Sequence, residues 1–123
     1  MKGQKKNPLY KSFGYAFEGI FTGIKKERNM KIHCLTMLCV VAAGFVFRIS
    51  VSEWCMCLIL FEMILSLDLV NTAMEAVVDL VPEERRPLAK LAKDTAAGAV
   101  LIAAIMGAGV GLLMFVPKVL ELI

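Results

Sequence analysis

The chain has 123 residues, 59% of them hydrophobic, and a mean hydropathy of +0.71, well beyond the roughly 45–50% apolar share of a soluble domain. Its net charge of +3 comes from 14 Lys and Arg against 11 Asp and Glu. This composition excludes an ordinary soluble domain and describes a small integral membrane protein, whose positive charge is read as an orientation signal and an attraction to anionic headgroups rather than a nucleic-acid patch.

Residues 1–8 read as a basic tail ended by Pro8. Residues 1–31 hold no apolar run of signal-peptide type, so no cleavable leader is expected. From Leu9 the pattern turns helical: Phe13, Phe17, Ile20, Phe21 and Ile24 recur at helical spacing and form one apolar stripe. The segment is too short and polar to span, and an interfacial helix over about 9–26 is predicted. The same helical wheel puts the Glu27 carboxylate on the membrane-facing side, where a cationic partner is required. The E-R-N-M-K-I-H turn, 27–33, leads into the first span, and His33 is expected to make a headgroup or backbone contact.

Three runs, Ile32–Ile49, Trp54–Val70 and Thr95–Val116, approach or exceed the length needed to cross about 30 Å of hydrocarbon at about 1.5 Å per residue. They predict transmembrane helices over about 30–49, 53–81 and 88–121, with a short outer loop at Ser50–Glu53 and a break at Pro82 to Pro87. Cys34, Cys39, Cys55 and Cys57 lie in or beside these spans without zinc-site spacing and read as packing residues. Residues 1–31 carry eight of the fourteen Lys and Arg, and residues 81–94 carry four. The positive-inside rule therefore places the N-terminus and the second connection in the cytoplasm.

The second span contains Asp68, Asn71, Glu75 and Asp79. An ionised carboxylate at a bilayer centre costs roughly 2.5–3.5 kcal/mol, and such residues mark function. At 100° per residue the four side chains share an arc of about 80° on one helix face. The helix is longer than the hydrocarbon requires, so Asp68 lies deepest and Asp79 nearest water. Glu62 is a further membrane acid, read as part of a subunit contact. The third span is rich in small residues, including Gly98, Gly109 and the Gly107/Gly111 pair, which permit close helix approach. Three spans alone would leave the polar stripe facing lipid, so self-association with cyclic symmetry is expected.

At the cytoplasmic boundary Glu27, the stripe, and Lys93-Asp94 converge. Oxygen ligands at that density suit Mg²⁺, which takes one or two carboxylates and completes its shell with water and phosphates, and a neighbouring lysine suits a phosphate. These are the parts of a phosphoryl-transfer site, although no P-loop or kinase-type glycine loop is present. A proton or cation pathway along the acidic face, or a purely structural oligomer, are the competing readings from the residues themselves.

The segment D-L-V-N-T-A-M-E-A-V-V-D-L resembles the pattern E-x-x-N-[ST]-A-[IM]-E-x-x-V-D of the prokaryotic diacylglycerol kinases. The A-K-D-T-A-A-G-A-V-L segment, the S-F-G-Y-A-F-E-G-I segment at 12–20 and E-R-N at 27–29 extend the likeness over essentially the whole chain. The details E-R-N-M-K-I-H and P-L-A-K-L-A-K-D resemble the undecaprenol kinase branch found in Gram-positive bacteria.

The resemblance implies a single lipid kinase domain over residues 1–123, an all-α membrane protein with an interfacial helix and three transmembrane helices per subunit, assembled as a homotrimer with shared sites at the inner face of the bacterial cytoplasmic membrane. It implies ATP as donor and undecaprenol as acceptor, with diacylglycerol as the alternative acceptor. Glu27 and Glu75 would hold Mg²⁺; Asn71, Asp79, Lys93 and Asp94 would contact or orient the nucleotide together with Tyr15 and Arg86-Pro87-Leu88. The family usually has histidine at the position of Arg86, which leaves that residue backbone contacts. Asp68 would be the catalytic base at the lipid hydroxyl, where the family carries glutamate. Aspartate is one methylene shorter, and a displacement of about 1 Å can cost about 100-fold in rate. Either compensating packing around Asp68, a weakened kinase, or a catalytically inactive membrane scaffold or ion relay follows.

Overall fold

The computed structural model describes residues 8–123, which form four helices: α1 (Leu9–Lys26), α2 (Arg28–Phe47), α3 (Val51–Val78) and α4 (Arg86–Leu122), the last preceded by a single 3₁₀ turn at Glu83–Arg85. The basic segment 1–7 lies outside the described residues. Three helical segments, α2, α3 and α4 with its preceding turn, are long and apolar enough to cross a membrane. At about 1.5 Å per residue α2 extends about 30 Å, enough for one crossing, while the 28 residues of α3 extend about 42 Å and carry its last turns past the hydrocarbon.

The helix ends follow from local chemistry. Glu27 adopts an extended backbone between α1 and α2 and donates its N–H to the Gly23 carbonyl, so the two helices meet at a one-residue bend. This brings the start of α2 to Arg28, two residues before the expected boundary. At its other end Arg48 takes a left-handed conformation (φ 52°), the one positive φ outside glycine among the described residues, and stops α2 at Phe47 instead of Ile49.

The expected outer loop at Ser50–Glu53 is instead the first turn of α3. Ser50 Oγ accepts from the Glu53 N–H at 3.2 Å and Glu53 Oε1 accepts from the Ser50 N–H at 2.9 Å, a reciprocal capping box that starts the helix at Val51. The far end of α3 stops at Val78, three residues short of the expected Val81, because Pro82 disfavours helical backbone in the residue before it and the chain tightens into turns at Leu80 and Val81. Arg86 and Pro87 occupy the first turn of α4, where a missing N–H has no cost, so that helix begins two residues early.

Helices α3 and α4 make the most extensive interhelical contact. Around the α2–α3 corner Ile49, Cys57 and Met114 are buried among Val40, Phe47, Trp54, Phe61, Val110 and Phe115, and Phe45 meets Trp54 with ring centroids 5.0 Å apart. Gly44 makes that corner: a Cβ there would lie 2.7 Å from the Trp54 ring. Lys118 Nζ reaches Glu53 Oε2 at 3.1 Å and ties the late part of α4 to the start of α3. At the other end α1 lies close against α3, where a Cβ on Gly23 would stand 2.7 Å from Leu69 Cδ2.

Most large apolar side chains point outward, among them Leu101, Ile102, Ile105 and Leu113 of α4. Gly107 meets Ile64, but Gly98, Gly109 and Gly111 have no neighbour within 4 Å of a Cβ position. Within one chain, therefore, only part of the small-residue stripe serves helix packing. Of the four cysteines, all free thiols, Cys57 alone is buried; Cys39 and Cys55 are exposed. Glu62 is exposed and accepts from Ser66 Oγ at 2.7 Å, one turn along the same helix.

Candidate active site

The stripe on α3 divides by depth. Asp68 is the one buried charged residue among those described, at 3% exposure. Its Oδ2 and His33 Nδ1 share a hydrogen bond of 2.5 Å across the α2–α3 contact. The expected headgroup or backbone role of His33 is thereby corrected: one turn into α2 the imidazole faces inward and meets the buried carboxyl group. Thr72 Oγ1 donates to the Asp68 carbonyl at 3.0 Å.

One turn further along, Asn71 Nδ2 donates to Glu75 Oε1 at 3.5 Å, while Asn71 Oδ1 is buried without a hydrogen-bond partner among the described residues. Glu75 is half-buried, and the charged groups acting on its carboxylate are Glu27, brought in by the α1–α2 bend, Lys93 from α4, and Asp79 from the next turn of α3. The α1–α2 bend, α3 and α4 thus deliver three carboxylates and one lysine to one place. Two of the carboxylates, Glu27 and Glu75, lie against each other, an arrangement that repels unless a cation stands between them. Among the described residues no three His, Cys, Asp or Glu side chains form a metal cage by themselves. A pair of hard oxygen ligands with an orphaned amide oxygen nearby fits Mg²⁺, which is ordinarily held by one or two carboxylates and by substrate phosphates.

Beside this pair, a cleft of about 560 Å³ is lined by Val78, Asp79, Arg86, Pro87, Ala89, Lys90 and Lys93. Three of those seven side chains are cations, so the cleft suits a polyanion. A second cleft, of about 610 Å³ between α1 and α3, has Tyr15 at its edge with Glu18, Thr22 and Lys26. A third, of about 460 Å³, is nearly all apolar, runs between α2, α3 and α4, and has His33 in its wall.

A family model for prokaryotic diacylglycerol kinase matches residues 14–115. The chain belongs to the prokaryotic diacylglycerol kinase family. As such it is a lipid kinase. The chain is 42% identical to an undecaprenol kinase of Bacillus subtilis over 112 residues, 91% of each chain. It is 38% identical to a diacylglycerol kinase of Synechocystis over 115 residues, 93% of this chain and 66% of that one, and 30% identical to a diacylglycerol kinase of Pseudomonas aeruginosa over 73% of each.

Of the sequence-derived candidates in this kinase, Glu27, Asn71, Glu75, Asp79 and Lys93 come together, and Arg86 and Pro87 line the adjoining cleft with Asp79 and Lys93. Leu88 is exposed and outside that lining, Tyr15 is exposed on α1 at a different cleft, and Asp94 is turned along its own helix to Lys90 Nζ at 2.6 Å. Two residues of the kinase were not placed at the site at the sequence level. Lys90 lines the cationic cleft, and its i, i+4 relation to Asp94 was visible in the sequence. His33 is 35 positions from Asp68, and no local pattern signals their contact.

Proposed function

We propose that this kinase transfers the γ-phosphoryl group of ATP to the hydroxyl of undecaprenol, giving undecaprenyl phosphate. The observation that carries the reading is the convergence of Glu27, Asn71, Glu75, Asp79 and Lys93 from the α1–α2 bend, α3 and α4 beside a cleft lined by cations. The acceptor is chosen from the relative named undecaprenol kinase, which matches at higher identity and fuller mutual coverage than the diacylglycerol kinases of Synechocystis and Pseudomonas aeruginosa.

In this reading Glu27 and Glu75 hold Mg²⁺, which supplies charge neutralisation at the phosphates when bound. Lys93 binds a phosphate as a point charge, and Arg86-Pro87-Leu88 at the start of α4 lie along the nucleotide. Asp79 and Asp94 orient it, Asn71 Oδ1 gains the partner it lacks among the described residues, and Tyr15 approaches from α1. Asp68, two turns deeper on α3, is the carboxyl group at the acceptor end. Residues 1–123 act as a single membrane domain. α1 lies on the inner surface of the bacterial cytoplasmic membrane, and the N-terminus and the α3–α4 connection face the cytoplasm, as the lysines and arginines require. A homotrimer covers the outward apolar faces of α4 and shares the sites between subunits.

Purified protein in mixed micelles with γ-labelled ATP and either undecaprenol or diacylglycerol tests the reading. Labelled undecaprenyl phosphate should form at a kcat/KM at least about 10-fold above that for diacylglycerol, the equivalent of about 1.4 kcal/mol in transition-state stabilisation. Preference for diacylglycerol reverses the acceptor assignment, and label in neither lipid removes the kinase reading altogether.

A further inference from the structure

The aspartate at the acceptor end is not free to meet a substrate. It is 3% exposed, and Oδ2 is occupied by the His33 imidazole at 2.5 Å. The imidazole, by contrast, is 19% exposed at its side chain and forms part of the wall of the apolar cleft between α2, α3 and α4. An ionised carboxylate only accepts hydrogen bonds, so Nδ1 carries the hydrogen of this contact and Nε2 is left as the basic nitrogen. Around it the cleft offers Thr36, Met37, Leu60, Phe61 and Ile64, a lining suited to a hydrocarbon chain.

We infer that the proton acceptor for the lipid hydroxyl is His33 Nε2, with Asp68 as the positioning residue that fixes the imidazole's tautomer and stabilises its protonated form. This deepens the proposed kinase reading and rests on it. The acceptor's chain lies in the apolar cleft with its hydroxyl at the imidazole. The hydroxyl oxygen forms its bond to the γ-phosphorus while the bond from that phosphorus to the β-bridging oxygen breaks, and ADP leaves with the electron pair. The hydroxyl proton passes to Nε2, and the resulting imidazolium is held by the Asp68 carboxylate until it releases the proton to water. A buried carboxylate orienting a histidine that does the proton transfer is the division of labour of the serine-hydrolase triad.

Full-length His33→Ala and His33→Gln, assayed in the same micelles, test the assignment. Both should lose about 100-fold in kcat, the usual contribution of a positioned base, with KM for ATP within about twofold of wild type. Added imidazole should restore part of the rate to His33→Ala and none to His33→Gln, whose side chain fills the space. Asp68→Glu introduced into His33→Ala should also recover activity, because the longer carboxylate extends into the vacated position. Near-wild-type kcat in His33→Gln overturns the proposal, since the amide keeps a donor for Asp68 but cannot take a proton. So does an imidazole-insensitive His33→Ala that still binds ATP. Where His33→Ala does not bind ATP, His33→Gln decides alone. An inactive wild-type protein with both lipids is instead the failure of the kinase reading.

Discussion

Glu75→Gln is expected to lower kcat/KM by about 100- to 1,000-fold, the scale on which removing one group that stabilises transition-state charge acts. The protein should still assemble, because Glu75 makes no ion pair that joins helices among the described residues and its 3.5 Å contact with Asn71 is also open to glutamine. The loss arises because one of the two adjacent carboxylates at the α1–α2 bend becomes neutral while Glu27 remains. Steady-state kinetics across a Mg²⁺ titration, with size-exclusion chromatography in detergent as the control for assembly, read both effects. Wild-type kinetics would take Glu75 out of the metal role.

The second large effect is at the other end of the stripe. Asp68→Asn should reduce kcat by about 100-fold or more while KM for ATP stays within about twofold, because the residues proposed to hold the nucleotide lie one to three turns away along α3 and on other elements. Asparagine keeps the shape but not the charge: the imidazolium formed on proton transfer loses its counter-ion, and the amide can hold the ring in the wrong tautomer. Asp68→Glu in the otherwise unchanged protein should also lower kcat, since one more methylene displaces the 2.5 Å contact to His33. Residues acting as a unit are non-additive, so Asp68→Asn with His33→Ala should cost little more than either alone. Additive losses would show that the two side chains act independently.

Periodicity carried the polar stripe, because spacings of 3, 4 and 4 fix a helix face whatever surrounds it. Glu27 was legible only in part: a carboxylate on an apolar wheel called for a cationic partner, whereas the bend at Glu27 brings it to another carboxylate, Glu75. Composition likewise indicated three crossings. The His33–Asp68 contact was not legible, since it depends on the packing of α2 against α3 over 35 positions of sequence. The start of α3 was misread although S-V-S-E is a capping-box pattern, because serines and a glutamate between apolar runs also read as a loop. Glycine spacing overstated intrachain packing: Gly107 meets a neighbour, but Gly111 faces open space.

In the proposed reading the Asp79 end of the α3 stripe holds a divalent cation with the nucleotide. Electron paramagnetic resonance of Mn²⁺, used as a Mg²⁺ surrogate with a non-hydrolysable ATP analogue, measures this directly on the detergent-purified full chain. Wild type should show analogue-dependent binding of about one Mn²⁺ per chain, weakened at least about 10-fold in Glu27→Gln and in Glu75→Gln by loss of a carboxylate ligand. Equal Mn²⁺ affinity in all three proteins would contradict it.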